Sequence, residues 1–351
     1  GSGGELTVPE SERPGRDLYA GADGKQKRSI KMEHKIVNII NFVRGCEPRD
    51  PKLDLVEPVC QEIRLNKKYG FPNTFLLQYD ALMDQQFVDL FLREKDEQME
   101  LGIWFECVRP LVEACGIPWR GAPAQDWDWH VCPDFLMAYT QEEKKCLIDR
   151  FMDEFQKTFG CLPASAGSWL LDSWSAAYMA EHYGIKAFAI CREQYGVDGY
   201  TLWGGYYNQG YYPSRKNILC PGQTKENTLF TPVFRMLGPD PIYCYDENEF
   251  ELSEGIIGTT IEPAWKYGYM EKTVDSCLAA CFQEECMDFA YITIGQENSF
   301  GWDKIGKGLA LQMERLHRME EQRQVKIQKL CDTGMWFRRQ FPGNPTVSLV
   351  S

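Results

Sequence analysis

The sequence predicts an α/β protein built as a (β/α)7-type barrel, complete or partly open, with parallel strands inside and helices outside. Three observations carry this expectation. Strand-type apolar runs alternate with helix-type amphipathic runs from Lys35 to about residue 340, a rhythm that implies parallel pairing through right-handed crossovers. Seven strand runs occur, which suits a barrel better than a flat doubly wound sheet. No G-x-G-x-x-G or P-loop follows any of them, so the usual nucleotide-binding signatures are missing.

The first strand is Ile36-Val37-Asn38-Ile39-Ile40-Asn41-Phe42-Val43, and a helix from about Leu55 to Tyr69 follows, ended by Gly70-Phe71-Pro72. Thr74 to Tyr79 is the second strand, with a helix starting near Met83-Asp84. Glu100 to Glu106 is the third, followed by a long Trp-rich loop to Thr140. Thr140 and Glu143 have the spacing of a capping box for a helix to Phe159. The fourth strand leads to Asp172, and a helix from Ser175 to His182 is closed by Gly184. Lys186 to Cys191, Thr231 to Leu237 and Asp288 to Ile294 complete the strands, and one amphipathic helix runs from Asp303 towards Leu330. Residues 1–33 read as a loose Gly-, Pro- and charge-rich arm, 34–340 as the catalytic barrel domain, and 341–351 as a tail.

Bulk properties narrow the function. The formal net charge is −13 and no basic cluster stands out beyond Lys25 to Arg28, so neither nucleic acid nor an anionic membrane is an expected partner. No apolar run has the length of a membrane span. The 14 cysteines lie largely inside apolar runs such as Phe188-Ala189-Ile190-Cys191, and no C-x-x-C occurs. That usage fits buried free thiols in a reducing, cytoplasmic compartment. Cys277, Cys281 and Cys286 are spaced three and four residues apart on a helix-type run, too loosely for a zinc ribbon. Gly1-Ser2-Gly3-Gly4 reads as an appended leader that could have replaced a signal segment.

Polar residues recur just past the strands: Arg44, Glu47 and Arg49; Gln78 and Asp80; Glu106 and Arg109; Asp172; Arg192, Glu193 and Asp198; Arg235 and Asp240; Gln296 and Glu297. A parallel barrel gathers these ends on one rim. Carboxylates that converge raise one another's pKa, which separates an acid from a base or nucleophile. Each also has a plainer reading: Asp172 could cap the following helix, Glu297 could open the next, and Glu106 could pair with Arg109. Trp104, Trp119, Trp127, Trp129, Trp169, Trp174 and Trp203 crowd into one stretch. Trp104 reads as core. The loop aromatics beside Asp, Asn and Gln in the runs Asp126 to His130 and Tyr200 to Tyr207 suit a sugar subsite, with ring stacking and hydrogen bonds to hydroxyls; a protein-docking surface would look similar.

Two windows resemble a known superfamily. Gly167-Ser168-Trp169-Leu170-Leu171-Asp172, before Glu181-His182-Tyr183-Gly184-Ile185, is similar to the G-x-W-L-P-E nucleophile motif of glycoside hydrolase family 57. Gln296-Glu297-Asn298-Ser299-Phe300-Gly301-Trp302 resembles its D-G-E-x-F-G-x-W acid motif. Both place the chain near the glycoside hydrolase and deacetylase barrels, with family 57 as the nearer branch. Leu171 and Asp172 replace the proline and glutamate of the first motif, and the usual acid position falls on Gln296, leaving Glu297 displaced. Glu100-Leu101-Gly102 is similar to a deacetylase pattern that precedes a metal-binding H-x-x-x-H, but no histidine follows here. The resemblance implies a metal-independent retaining glycosidase or transglycosidase acting on a carbohydrate, with no cofactor. Asp172 would be the nucleophile, Glu297 the acid/base and Glu106 the substitute for Asp172. Arg44, Glu47, Asp80, Trp127, Asp128, His130, Trp169, Trp174, Asp198, Trp203, Arg235, Gln296 and Trp302 would hold the sugar. A metal-dependent polysaccharide deacetylase and a non-catalytic carbohydrate-binding barrel are the alternatives; the first needs histidines, of which the chain has four (His34, His130, His182, His317).

Overall fold

A computed structural model describes residues 34–190, 210–235 and 289–345. Seven parallel strands form its core in the order β10 (Ala290–Ile294), β1 (Lys35–Val43), β2 (Asn73–Leu77), β3 (Met99–Trp104), β4 (Ser165–Ser168), β5 (Ala187–Ile190) and β9 (Val233–Arg235). These are the seven runs the sequence marks as strands. The short β6 (Gly210–Tyr211) adds to β9 antiparallel, β11 (Lys326–Gln328) pairs with β1, and β7 (Pro213–Ser214) with β8 (Asn217–Pro221) forms a separate ribbon. The result is a nearly closed barrel-shaped sheet with helices outside.

Side-chain alternation sorts each strand into two faces. On β1, Ile36, Ile40 and Phe42 pack inside with Leu76, Trp104, Trp169, Ala187, Ala189, Phe234 and Tyr291. Val37 and Ile39 point outward, against Ile292, Ile294 and the helix α8 (Trp302–Glu321). Gly167 makes room for the interior: a Cβ there would sit 2.7 Å from both Leu76 and the Trp104 ring. Trp104 meets Phe42 at 4.1 Å and Trp169 at 4.4 Å between ring centroids, in edge or tilted geometries that favour aromatic pairs. Below this layer, Glu100 accepts from Thr74, Ser165 and the backbone N–H of Cys331. That contact anchors α9 (Leu330–Gln340) across the amino end of the barrel.

Helix punctuation follows the sequence in most places. Helix α1 (Val56–Tyr69) ends on Gly70 at φ 67, and a capping box between Thr140 and Glu143 opens α6 (Gln141–Phe159), which ends on Gly160 at φ 74. Gly184, at φ 71, closes α7 (Ser173–Tyr183). Two expectations are corrected. The helix expected near Met83 is two, α2 (Tyr79–Met83) and α3 (Gln85–Glu94), because Asp84 leaves the helical conformation and accepts from the Gln86 N–H as the cap of α3. The single helix expected from Asp303 to Leu330 breaks at Arg323, which adopts φ 54. Val325 and Ile327 beyond it are buried, and Lys326–Gln328 pairs with β1 rather than continuing the helix.

Candidate functional site

Glu47, Asp80, Glu106, Asp172 and Glu297 all follow the carboxyl ends of parallel strands and so share one rim. Face alternation then separates them. Phe42 and Arg44 lie on one face of β1, Trp104 and Glu106 continue the inner face of β3, and Glu297 bridges back to Phe42 as a parallel extension of β10. Gln296, one residue earlier, takes the opposite side, where its N–H donates to the outward-facing Asn41. A one-residue shift flips a side chain through the sheet, so Glu297 rather than Gln296 reaches the interior.

Arg44 is the centre of the arrangement. It is 3% exposed, and its Nη1 donates to Glu297 Oε1 at 2.8 Å and to Glu47 Oε2 at 3.4 Å. The guanidinium lies 3.7 Å from the centroid of the Trp127 ring, a cation–π contact at desolvated range. Burial works against its charge, but Glu297, Glu106 and Glu47 outweigh that and raise its pKa further above the usual arginine value. Glu106 is 1% exposed and accepts from two indoles, Trp104 Nε1 at 2.7 Å and Trp127 Nε1. Burial pushes the Glu106 carboxyl up, with repulsion from Glu297 adding to it, while Arg44 and the two indoles pull the other way. Glu297 also accepts from the Ser299 hydroxyl at 2.6 Å. Arg49 clamps Glu47 through Nε and Nη2, and Glu47 sits below the usual carboxylate range because these bonds and Arg44 overcome its burial. Asn298 fixes the backbone here, accepting from Arg44 N–H and donating to Arg44 C=O.

A cleft of about 590 Å³ opens beside this cluster, lined by Gly45, Cys46, Glu47, Asp84, Gln125 and Asp126 among others. Asp80 fixes one of its lining residues: its Oδ1 accepts from the N–H groups of Gly45 and Ala81, and burial raises its carboxyl.

The remaining expected residues are dispersed. Asp172 is the cap of α7: its carboxylate accepts from Ser175 N–H at 3.0 Å and Ser175 Oγ at 2.7 Å, and pairs with Lys144 at 3.2 Å. It shares no partner with Glu297, so the facing pair expected of the two is not assembled by these contacts. Trp169 is interior core against Phe42 and Trp104, and Trp174 stacks on Tyr178 along α7. Trp302 opens α8, where its indole lies 2.6 Å from the position a Cβ on Gly306 would take. Asp128 binds His130 through the ring Nδ1 and the backbone N–H and accepts from the Ala122 N–H. Burial opposes its ionisation, but those bonds hold it below the usual range. Asp198 and Trp203 lie outside the described residues, as do Cys277, Cys281 and Cys286, and of Arg235 only the backbone is described.

The residues do not fit a histidine-containing metal centre. His34 packs against Trp336 at the amino end of the barrel, and His182 stacks on Tyr178. His317 meets Tyr69, and His130 is exposed beside Asp128. Among the described residues no group of three His, Cys, Asp or Glu side chains could hold a metal ion. No helix among them is long and apolar enough to cross a membrane. The nine described cysteines carry no disulfide.

The sequence marks Trp104 as core only, whereas its indole N–H also binds Glu106. The period-two alternation of β3, which puts Trp104 and Glu106 on one face, carries that signal.

No family model and no curated relative matches the chain. Solved structures do. The fold is similar to a protein assigned as a glycoside hydrolase/deacetylase from Parabacteroides distasonis, with TM-score 0.60 and 16% identity over 90% of this chain and 74% of that one. It is also similar to one assigned as a polysaccharide deacetylase from Mycobacterium smegmatis, with TM-score 0.54 and 10% identity over 92% and 96%. The allantoinase Puue gives TM-score 0.52 and 10% identity over 94% and 99%. These likenesses do not single out family 57 as the nearer branch. At such identities they establish the fold alone, a barrel-shaped parallel sheet with helices outside.

Proposed function

We propose that the protein is a carbohydrate-directed hydrolase that removes acyl groups, with its reaction centre at Arg44, Glu106 and Glu297. The observation that carries this is the interior placement of two carboxylates around one buried cation on the rim where parallel barrels keep their chemistry. The two carboxyls have different surroundings. Glu297 accepts from a guanidinium and a hydroxyl, which orient its carboxylate for the general-base role towards water. Glu106 is desolvated and pushed up, which favours its protonated form as the acid for the leaving atom. Arg44 binds Glu297 directly and offsets part of the charge of both, while the Trp104 and Trp127 indoles hold Glu106. Among the described residues the donor set does not fit a metal, and the chemistry falls to the side chains themselves.

The barrels with TM-scores above 0.5 include proteins assigned as polysaccharide deacetylases and an allantoinase, which supports acyl hydrolysis over glycosidic cleavage. Glycosidic cleavage remains the second reading, since a carboxylate pair on one rim is also what a glycosidase needs. Turnover of N- and O-acetylated oligosaccharides and of aryl glycosides, each with and without chelator, separates the two. Acetate release that survives chelation supports the first reading; release of the aryl group alone supports the second, and activity restored only by added metal contradicts both assignments of the centre.

A further inference from the structure

Two inner-face residues of this rim are built for contacts they do not make within the described chain. The register pairs Val43 with Leu77, so Arg44 and Gln78 are neighbours at the ends of β1 and β2, and the Gln78 N–H donates to Val43 C=O at 2.9 Å. Gln78 is fully buried and Arg44 nearly so. Arg44 uses Nη1 for Glu297 and Glu47, yet its Nε and Nη2 have no hydrogen-bond partner among the described residues, and neither does either amide atom of Gln78. Buried polar groups left unpaired cost stability, and native proteins keep few of them without a use. Nε and Nη2 form one edge of the guanidinium fork, whose N–H groups donate to a carbonyl or carboxylate oxygen.

We infer that the free edge of Arg44 and the amide of Gln78 form the electrophilic subsite of this centre, binding the acyl oxygen of the substrate and holding the oxyanion that develops on it. This rests on the acyl-hydrolase reading above. A water oxygen bonds to the acyl carbon as Glu297 takes the water proton, and the C=O electron pair moves onto the oxygen facing Arg44 and Gln78. Collapse restores C=O and breaks the bond to the leaving nitrogen or oxygen, which takes its proton from Glu106. A fixed organic cation thus supplies the positive charge at the acyl oxygen, with Trp127 covering one guanidinium face and excluding water.

The test is side-chain nitrogen NMR on the full chain, titrated with acetamide and acetate. The wild type should show saturable shifts of the Arg44 Nε–H and Gln78 amide signals at millimolar probe, with a rise in thermal midpoint. Arg44→Lys, which keeps the charge but loses the fork, and Gln78→Leu should each weaken probe binding at least tenfold. Gln78→Leu should also melt higher than wild type without probe, because its unpaired amide is gone. Unmoved Arg44 and Gln78 signals in the wild type overturn the inference, as does undiminished probe binding in Gln78→Leu. Should Arg44→Lys fail to fold, the wild-type titration and Gln78→Leu decide. Probe binding lost in the variants while no acetylated sugar is turned over would leave the subsite standing and remove the functional reading. Sugar turnover equal in Gln78→Leu and wild type would do the reverse.

Discussion

At the end of β4 the carboxylate of Asp172 turns back onto its own chain, capping α7 through Ser175 and pairing with Lys144 of α6. At the end of β10 the carboxylate of Glu297 runs inward, onto a buried guanidinium it shares with Glu47. Both follow strands on the same rim, and both sit in windows that resemble catalytic motifs. The difference is the face. Glu297 continues the inner alternation of its strand, whereas Asp172 lies three residues past Trp169, the first residue after β4, and stands in extended conformation as the cap of α7. A strand-end carboxylate becomes chemically distinctive when it is directed into the barrel and loses water; otherwise the N–H groups of the next helix claim it.

The largest effect that could break this comparison is on Arg44. Replacing it with Met removes the cation from between Glu297, Glu47 and Glu106 and leaves buried carboxylates uncompensated, which should cost about 3–5 kcal/mol of stability. Chemical denaturation measures it, and a loss below about 1 kcal/mol would mean that the cluster is solvated rather than buried.

A buried acid outside the site sharpens the contrast. Glu62 of α1 is fully buried, and neither of its oxygens has a partner among the described residues; burial alone raises its pKa well above the ordinary value. Its folded-state pKa lies above its unfolded one, so the native state binds more protons there. Its stability contribution is therefore fully present below the unfolded pKa of about 4.3 and is lost as pH rises towards the folded value. Glu62→Gln should raise stability at pH 7 by about 1–3 kcal/mol and flatten this fall. Unfolding curves at pH 4, 5.5 and 7 read it directly; parallel pH slopes for both proteins would contradict it.

Asp172→Ala should cost about 1 kcal/mol, the value of an N-cap, since the partly exposed Lys144 pair adds little. Asp172→Asn keeps an acceptor for Ser175 and should cost only a few tenths. A much larger loss from the asparagine variant would give that carboxylate a role beyond capping.

Much of this was legible in the sequence, for reasons that particular residues make clear. The seven parallel strands follow from short apolar runs, and α6 from its Thr140–Glu143 box. The break at Arg323 was hidden because the amphipathic pattern of α8 runs on into Val325 and Ile327, whose burial comes from β1 rather than from a helix face. In the site, the residue types on the rim were readable, but their grouping was not. Trp127 reaches Glu106 and Arg44 from a loop whose path no periodicity specifies, and Asp172 and Glu297 carry similar local signals until the strand faces are known.

The central claim is that the reaction centre lies at Arg44, Glu106 and Glu297 rather than at Asp172. Its most direct test is turnover of an acetylated oligosaccharide panel by Glu297→Gln and Asp172→Asn, with folding checked by circular dichroism. Removing the general base at Glu297 should lower kcat by about 10²–10⁴-fold, while Asp172→Asn stays within about threefold, as a capping role implies. Near wild-type turnover by Glu297→Gln, or a collapse of turnover in a folded Asp172→Asn, would contradict the account.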